Sequence, residues 1–463
     1  MAIKPYIYID DKGKTRVDLQ RLTQYIKDTY YAKVSDKGNV FVYNDNYYTK
    51  LSTREMRGLI KELMPPETRY FKDWEAVSKE FEDSLTEVRE DDFDNDEKRI
   101  NFLNGILNLD TGELEEHTPN YLSIRQVQCN YVKALTLDDA PTFKGFIEFL
   151  TGKGLLGGDD KAMDFLMEYM GAIFSNSKGW RWKRLLLLIG VGHSGKSQLR
   201  ELTMNLVGKE HCITIGMDKL QERFGPATLY QRRMAGDGDM AFVPLAEINL
   251  IKQLTGGDSI YAEFKGKDGF SFRYDGFLWF NANQRPFFRG DRMSHVYDRF
   301  IIVKCPFPVP EDKRNPHILD KMMEEKEAIV SVCIERFNQA RKKGYKFTMS
   351  ENMRAEREDY VIGNNTLLSF VNDCCKIAET KEEYIQRSYF NNAYKRYCSA
   401  NNIQPERLKD VKALLEEHFK IAAKKKDGHY IYHLTIDENA VDELNMKEEA
   451  MVQYANKLSN KTK

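Results

Sequence analysis

Eight consecutive residues, Gly190-Val-Gly192-His193-Ser194-Gly195-Lys196-Ser197, combine three glycines with a lysine and a terminal hydroxyl. The apolar run 185–189 (LLLLI) precedes them, and QLRELTMNLVG follows with helical periodicity up to Gly208. This is GxxxxGK[ST] between a strand and a helix, the context a phosphate-binding loop requires. Glycines let backbone N–H groups turn toward phosphate oxygens, and the N-terminus of the next helix adds partial positive charge. Gly190, Gly192, His193, Ser194, Gly195, Lys196, Ser197 and Gln198 are therefore the expected nucleotide contacts. Lys196 is expected to bridge the outer phosphates and Ser197 to ligate Mg²⁺, so the expected cofactors are ATP and Mg²⁺. His193 reads as a residue the loop tolerates, not as a catalyst.

A triphosphatase needs a further carboxylate to hold the metal and orient the attacking water. Asp237-Gly238-Asp239 follows about 40 residues on, after the short apolar pair Met234 and Ala235. Beyond it, two runs at strand spacing flank Lys265-Gly266-Lys267-Asp268-Gly269, a hairpin tip whose lysines suit phosphate-backbone contact or plain solvation. The buried run GFLWF leads into Asn281-Ala282-Asn283, a place where ligands bind in α/β sheets. Asp298-Arg299 then opens another apolar run, FIIV.

The elements around these residues divide the 463-residue chain unevenly. Twenty of its 29 glycines lie between Gly152 and Gly290, which points to that segment as the place where backbone turns sharply or approaches a ligand. Residues 184–305 alternate strands and helices, predicting an α/β sheet domain. Before it come a strand-and-helix module over the first 70 residues, a helix with Trp74, Val77, Phe81 and Leu85 on one face, a hairpin turning at Asp110-Thr-Gly112, and a helical stretch over 142–174. After it the pattern is helical, and residues 366–436 read as three helices and two short strands, the order of a winged helix. Seven cysteines with no CxxC pair argue against a zinc ribbon or a disulfide scaffold, and fit a reducing cytoplasm. No apolar run approaches the ~18 residues of a membrane span, and the first residues lack the apolar core of a signal peptide. The net charge of -1 conceals a split: residues 1–150 carry 21 basic and 28 acidic side chains, whereas residues 151–300 carry 21 and 17. A polycationic nucleic-acid coat is excluded; a locally basic channel is not.

Taken in order, the phosphate loop, the acidic pair, KQLTGGDSIYAEFKGK, FNANQRP and YDRFIIV resemble the superfamily III helicases, in particular the phage, plasmid and poxvirus primase-helicase branch. NFLNGILNLDTGELEEHTP resembles the region that precedes the motor in that family. The resemblance runs from about residue 70 to residue 436. It implies an AAA+-like P-loop ATPase domain with a helical N-terminal region and a C-terminal winged helix. The corresponding divisions are a small α+β module over 1–70, a helical pre-motor domain over 71–165, the ATPase over 166–310, a helical connector over 311–360, the winged helix over 361–437, and a tail over 438–463. The resemblance further implies that Asp237 and Asp239 are the acidic pair, although the family usually has a stronger apolar strand here and often Glu. Either aspartate remains a candidate for the metal, with Asp239 taken beside Ser197. Lys265 and Lys267 match the hairpin that tracks single-stranded DNA, Asn283 (or Asn281) the sensor asparagine, and Arg299 the arginine finger that reaches the neighbouring subunit's ATP. The expected activity is ATP-dependent DNA unwinding by a ring, a hexamer, in a host cytoplasm. Its expected partners are single-stranded or forked DNA, origin duplex and other replication proteins such as a primase, with no membrane. Two rivals stay open: an origin-binding initiator that uses ATP as an assembly switch, and a non-unwinding DNA translocase.

Overall fold

In the computed structural model, residues 4–155, 158–240, 249–283, 285, 297–378, 380, 382–401, 405–406 and 408–437 are described. The tail expected over 438–463 lies outside them, as does Pro286. The chain forms two compact units: residues 1–241, 253–283 and 303–350 make the larger, and residues 242–252, 284–302 and 351–463 the smaller.

The larger unit begins with a hairpin (Ile7–Ile9 with Thr15–Val17) and a helix, Leu19–Thr29, whose start Asp18 caps through its carboxylate. A four-stranded sheet follows, in the order Tyr48–Leu51, Val40–Tyr43, Ala32–Ser35, Thr86–Val88. The helix Thr53–Leu63 starts with a reciprocal Ser52 and Glu55 capping box. Trp74, Val77 and Phe81 of the helix Phe71–Asp83 share one core with Tyr6, Leu22 and Ile60. The division expected at residue 70 therefore falls inside a single packed body.

Residues 71–165, expected to be helical, also contain a three-stranded meander, Arg99–Phe102, Gly105–Asn108 and Glu113–Glu115. Its tight packing needs glycine: a Cβ on Gly105, at φ +147°, would lie 2.6 Å from the Glu115 carbonyl oxygen. Helices Pro141–Thr151 and Asp160–Phe174 then lead into the central sheet.

That sheet has five strands: β1 (Leu185–Gly190), β2 (Cys212–Thr214), β3 (Met234–Gly236), β4 (Phe277–Ala282) and β5 (Phe300–Cys305), in spatial order β2-β3-β4-β1-β5. The pairs β1 with β4, β3 with β4 and β2 with β3 are parallel. Strands covered on both faces should be apolar throughout, and Leu185 to Leu188 and Phe277 to Phe280 are all buried. The short β3, weak as a sequence signal, is an interior strand. It approaches β4 so closely that a Cβ on Gly236 would sit 1.8 Å from the Trp279 carbonyl oxygen. Helix α1 (Lys196–Val207) follows β1. The helix Lys326–Lys342 packs on Asp160–Phe174, where Gly171 lies against the Cys333 carbonyl.

In the smaller unit, helices Thr366–Cys374, Arg387–Ala400 and Leu408–Phe419 enclose a core of Phe370, Phe390, Tyr394, Leu415 and Tyr432. Five short strands complete it as two small sheets, Ile385–Gln386, His429–Tyr432 and Lys424–Lys426 in one and Cys375–Ile377 with Leu434–Ile436 in the other. Two short strands were expected over 366–436, and five are present there. All seven cysteines are free thiols. Among the described residues, no helix is long and apolar enough to cross a membrane.

Candidate nucleotide site at the carboxyl edge of the central sheet

Parallel strands bring their carboxyl ends to one edge of a sheet. The register places Ile189 of β1 beside Ala282 of β4, and Ala235 of β3 beside Leu278 of β4. The loop 190–195, the Asp237 to Asp239 segment and the Asn281 to Asn283 segment thus emerge along the same edge.

The loop is built for close backbone approach. A Cβ on Gly190 would meet the Cys305 carbonyl oxygen at 2.0 Å, and Gly195 adopts φ +97°. His193 is also left-handed, at φ +60°, and its carbonyl accepts from Val309 N–H at 3.0 Å. It therefore helps to shape the loop. Helix α1 starts from Gly195 with no side-chain cap and no acidic residue in its first turn, a start that suits an anion, although the Gln198 N–H already donates to the Gly195 carbonyl at 3.0 Å.

Lys196 is buried, and its Nζ donates to the carbonyls of Gly190 (2.7 Å) and Val191 (2.8 Å) and to Ser194 Oγ (3.2 Å). Burial pulls its pKa down, while the nearby Cys305 and Asp239 oppose that shift. The ammonium is held over the loop, with Asp239 within electrostatic range. Gln198 is exposed on the first turn of α1.

The acidic segment is tied to both of its neighbours. Ser197 Oγ donates to the Gly238 carbonyl at 3.1 Å. Asn281 N–H donates to the Asp237 carbonyl at 2.8 Å, and Met240 N–H to the Asn281 carbonyl at 2.8 Å. Asp237 Oδ1 accepts from Asp239 N–H at 3.1 Å, which leaves the exposed Asp239 carboxylate outermost. The glycine-shaped loop, the uncapped helix start, one lysine, one hydroxyl and two carboxylates form a donor set that fits a triphosphate with a divalent cation.

The two asparagines have different environments. Asn281 is fully buried: Oδ1 accepts from Trp279 Nε1 at 2.9 Å, and Nδ2 has no hydrogen-bond partner among the described residues. Asn283 is exposed in the bend after β4, and it is the asparagine that a ligand at this edge can reach. Lys265 and Lys267 stand exposed at the tip of the hairpin Ser259–Ala262 and Phe270–Arg273, a two-stranded sheet separate from the central one. Arg299 is half-buried at the start of β5 and belongs to the smaller unit, where its neighbour Asp298 pairs with Arg357 at 3.2 Å.

Sequence reasoning missed Arg200. It lies one helical turn beyond Lys196, is buried, and donates through Nη2 to the Gly236 carbonyl (2.8 Å) and to Thr214 Oγ1 (3.4 Å). Burial lowers its pKa, and the charges of Cys212 and Asp237 counter that effect. Arg200 thereby braces the end of β3 from which Asp237 emerges. The spacing of four from Lys196 was the available signal. Arg233 was also missed: fully buried, it donates to the carbonyls of Ile173 (2.8 Å), Asp275 (3.0 Å) and Ala172, and so closes the end of the helix Asp160–Phe174.

Residues 20–152 match the family model described as D5 N terminal like. Residues 188–299 match a family of unknown function, DUF5906. The A form apo structure of the NrS-1 C terminal region is similar over 91% of this chain and 100% of that one, at 12% identity and a TM-score of 0.50. A second apo structure of the same region aligns over the same shares at a TM-score of 0.49. At this identity the likeness is one of fold, a mixed α/β architecture with a parallel sheet. The D5-type match covers residues 20–152, less than half of the chain.

Proposed function

We propose that the chain is an ATP-dependent replicative DNA helicase of a phage, plasmid or mobile element that moves along single-stranded DNA as a ring, taken as a hexamer. The observation that carries this reading is the bond from Ser197 Oγ to the Gly238 carbonyl, which draws the loop lysine, the hydroxyl and both aspartates to one edge of the sheet. ATP, when bound, supplies the phosphoanhydride whose hydrolysis drives movement. On this reading Lys196 and the N–H groups of residues 190–198 hold the phosphates. Ser197 and Asp239 hold Mg²⁺, while Asp237 and Asn283 orient water. Arg299 of a neighbouring copy adds positive charge, the kind of contribution worth roughly 10³–10⁵ in rate when a finger acts in trans. Lys265 and Lys267 grip one strand, and residues 361–437 act as a winged helix.

The test compares the full chain with Lys196→Ala for DNA-stimulated ATP hydrolysis and for strand displacement on a fork. Loss of both in the variant supports the helicase. ATP hydrolysis without displacement by the wild type points instead to a non-unwinding translocase.

An origin-binding initiator is the second reading. It is favoured by the Lys424–Lys426 strand, in which all three lysines are exposed. Sequence-selective, salt-dependent binding of origin duplex by the full chain, with ATP changing only its assembly, would support it.

A further inference from the structure

The first 88 residues carry an exposed aromatic and basic surface for which the proposed motor has no use. In the N-terminal hairpin Tyr8 lies directly opposite Arg16. Residues paired this way project from the same face, and Tyr8 is 52% exposed. The turn Pro66–Thr68 packs against the Thr15–Val17 strand, and the chain then presents Tyr70 and Phe71, 57% and 67% exposed. Tyr8 and Tyr70 both lie within electrostatic reach of Arg16.

The surface has a rigid backing. Phe71 packs edge-on against the buried Trp74 at 4.7 Å, and Lys61 Nζ sits 4.2 Å from the centre of the Trp74 ring. The hairpin tip is Lys12-Gly13-Lys14, with Gly13 at φ +70°. The Asp10 carboxylate accepts from the N–H groups of Lys12 (3.0 Å) and Lys14 (2.9 Å) and pairs with Arg16 at 2.8 Å, which fixes the turn. Both lysine side chains are exposed, and neither forms an ion pair with a described residue. The hairpin at Lys265-Gly266-Lys267 repeats this local design, with Gly266 at φ +74°.

Scattered exposed apolar side chains are ordinary, but a contiguous aromatic patch rimmed by cations marks a binding surface. Its charge selects the partner. Residues 1–70 carry 13 basic and 9 acidic side chains, whereas residues 71–150 carry 8 and 19. Lysines are depleted at protein interfaces, whereas aromatic platforms flanked by lysines suit single strands, whose bases stack while their phosphates meet cations.

We propose that the N-terminal hairpin and the corner at Tyr70 and Phe71 form a second single-stranded nucleic-acid platform, with bases on Tyr8, Tyr70 and Phe71 and phosphates on Lys12, Lys14 and Arg16. The platform does not rest on nucleotide hydrolysis, so Lys196→Ala leaves it intact.

The experiment measures anisotropy of a labelled oligothymidylate with the full chain, without nucleotide, in a Lys265→Ala/Lys267→Ala background that removes the other proposed strand contact. Tyr8→Ala/Tyr70→Ala/Phe71→Ala is expected to weaken binding about tenfold or more. Tyr8→Phe/Tyr70→Phe should keep the affinity, because a phenyl ring still stacks. Lys12→Ala/Lys14→Ala should lower the slope of log affinity against log salt by about 1.4. Native mass should stay unchanged, and the melting temperature should fall only slightly, through loss of the Phe71 contact with Trp74. Wild-type affinity in the triple alanine variant overturns the platform. So does a change in native mass with affinity retained, which would make the patch a surface between copies of this chain.

Discussion

Ser197 Oγ and the Gly238 carbonyl are 3.1 Å apart, so the first turn of α1 is bonded directly to the acidic segment that follows β3. The contact joins two stretches about 40 residues apart in the chain and closes the candidate site on itself. It also makes Ser197 a residue whose loss should affect chemistry far more than folding. A single exposed hydroxyl bond contributes about 0.5–1.5 kcal/mol. Ser197→Ala is expected to shift the urea midpoint only slightly while reducing ATP hydrolysis on the order of 10²-fold, as loss of one charge-stabilising contact does. Steady-state hydrolysis at saturating Mg²⁺, beside a denaturation curve, checks both halves.

Arg200 should behave in the opposite way. Arg200→Met keeps an apolar stem but removes the 2.8 Å bond to the Gly236 carbonyl, which retains the Ile215 N–H at 2.9 Å. The expected destabilisation is about 1.5–3 kcal/mol, the contribution of a hydrogen bond from a charged donor. Chemical denaturation measures it. An unchanged midpoint would show that the guanidinium does not brace β3.

His211 predicts a pH dependence of stability. Burial, reinforced by the positive charge of Arg125, lowers its pKa from 6.5 to about 4, against the opposing charges of Asp94 and Glu210; Arg232 again lowers it. The folded state therefore favours the neutral imidazole. Its contribution is complete above pH 6.5 and is lost as pH falls toward 4, because only the unfolded chain takes up the proton in that window. At about 1.4 kcal/mol per unit, the loss is about 3 kcal/mol. Denaturation curves across this range should be flatter for His211→Gln than for the wild type.

Lys265→Ala/Lys267→Ala should abolish strand displacement while leaving assembly intact, because both side chains are exposed at a hairpin tip. Fork unwinding together with native mass tests this. Normal unwinding by the variant would remove the hairpin from the mechanism.

The phosphate loop was legible in the sequence because everything it needs is contiguous: an apolar strand, glycines at fixed offsets, then a helix. The hairpin around Lys265 and Lys267 was legible for the same reason, since alternation and a Lys-Gly-Lys turn are local signals. β3 was barely legible. Three residues carry little periodicity, and its place between β2 and β4 rests on long-range pairing. The division at residue 70 was misplaced because the amphipathic face of Phe71–Asp83 shows that the helix packs, not against what it packs.

The sequence by itself determined which residues can do chemistry and which local shapes they take, because backbone preferences and glycine placement act over a few residues. Only the tertiary structure decided how those residues meet. Parallel pairing brought the aspartates and the loop to one edge, and burial separated Asn281 from the exposed Asn283. Arg200 acquired its role only when α1 packed over β3, since a buried cation must find acceptors and the nearest is a carbonyl 36 residues away along the chain.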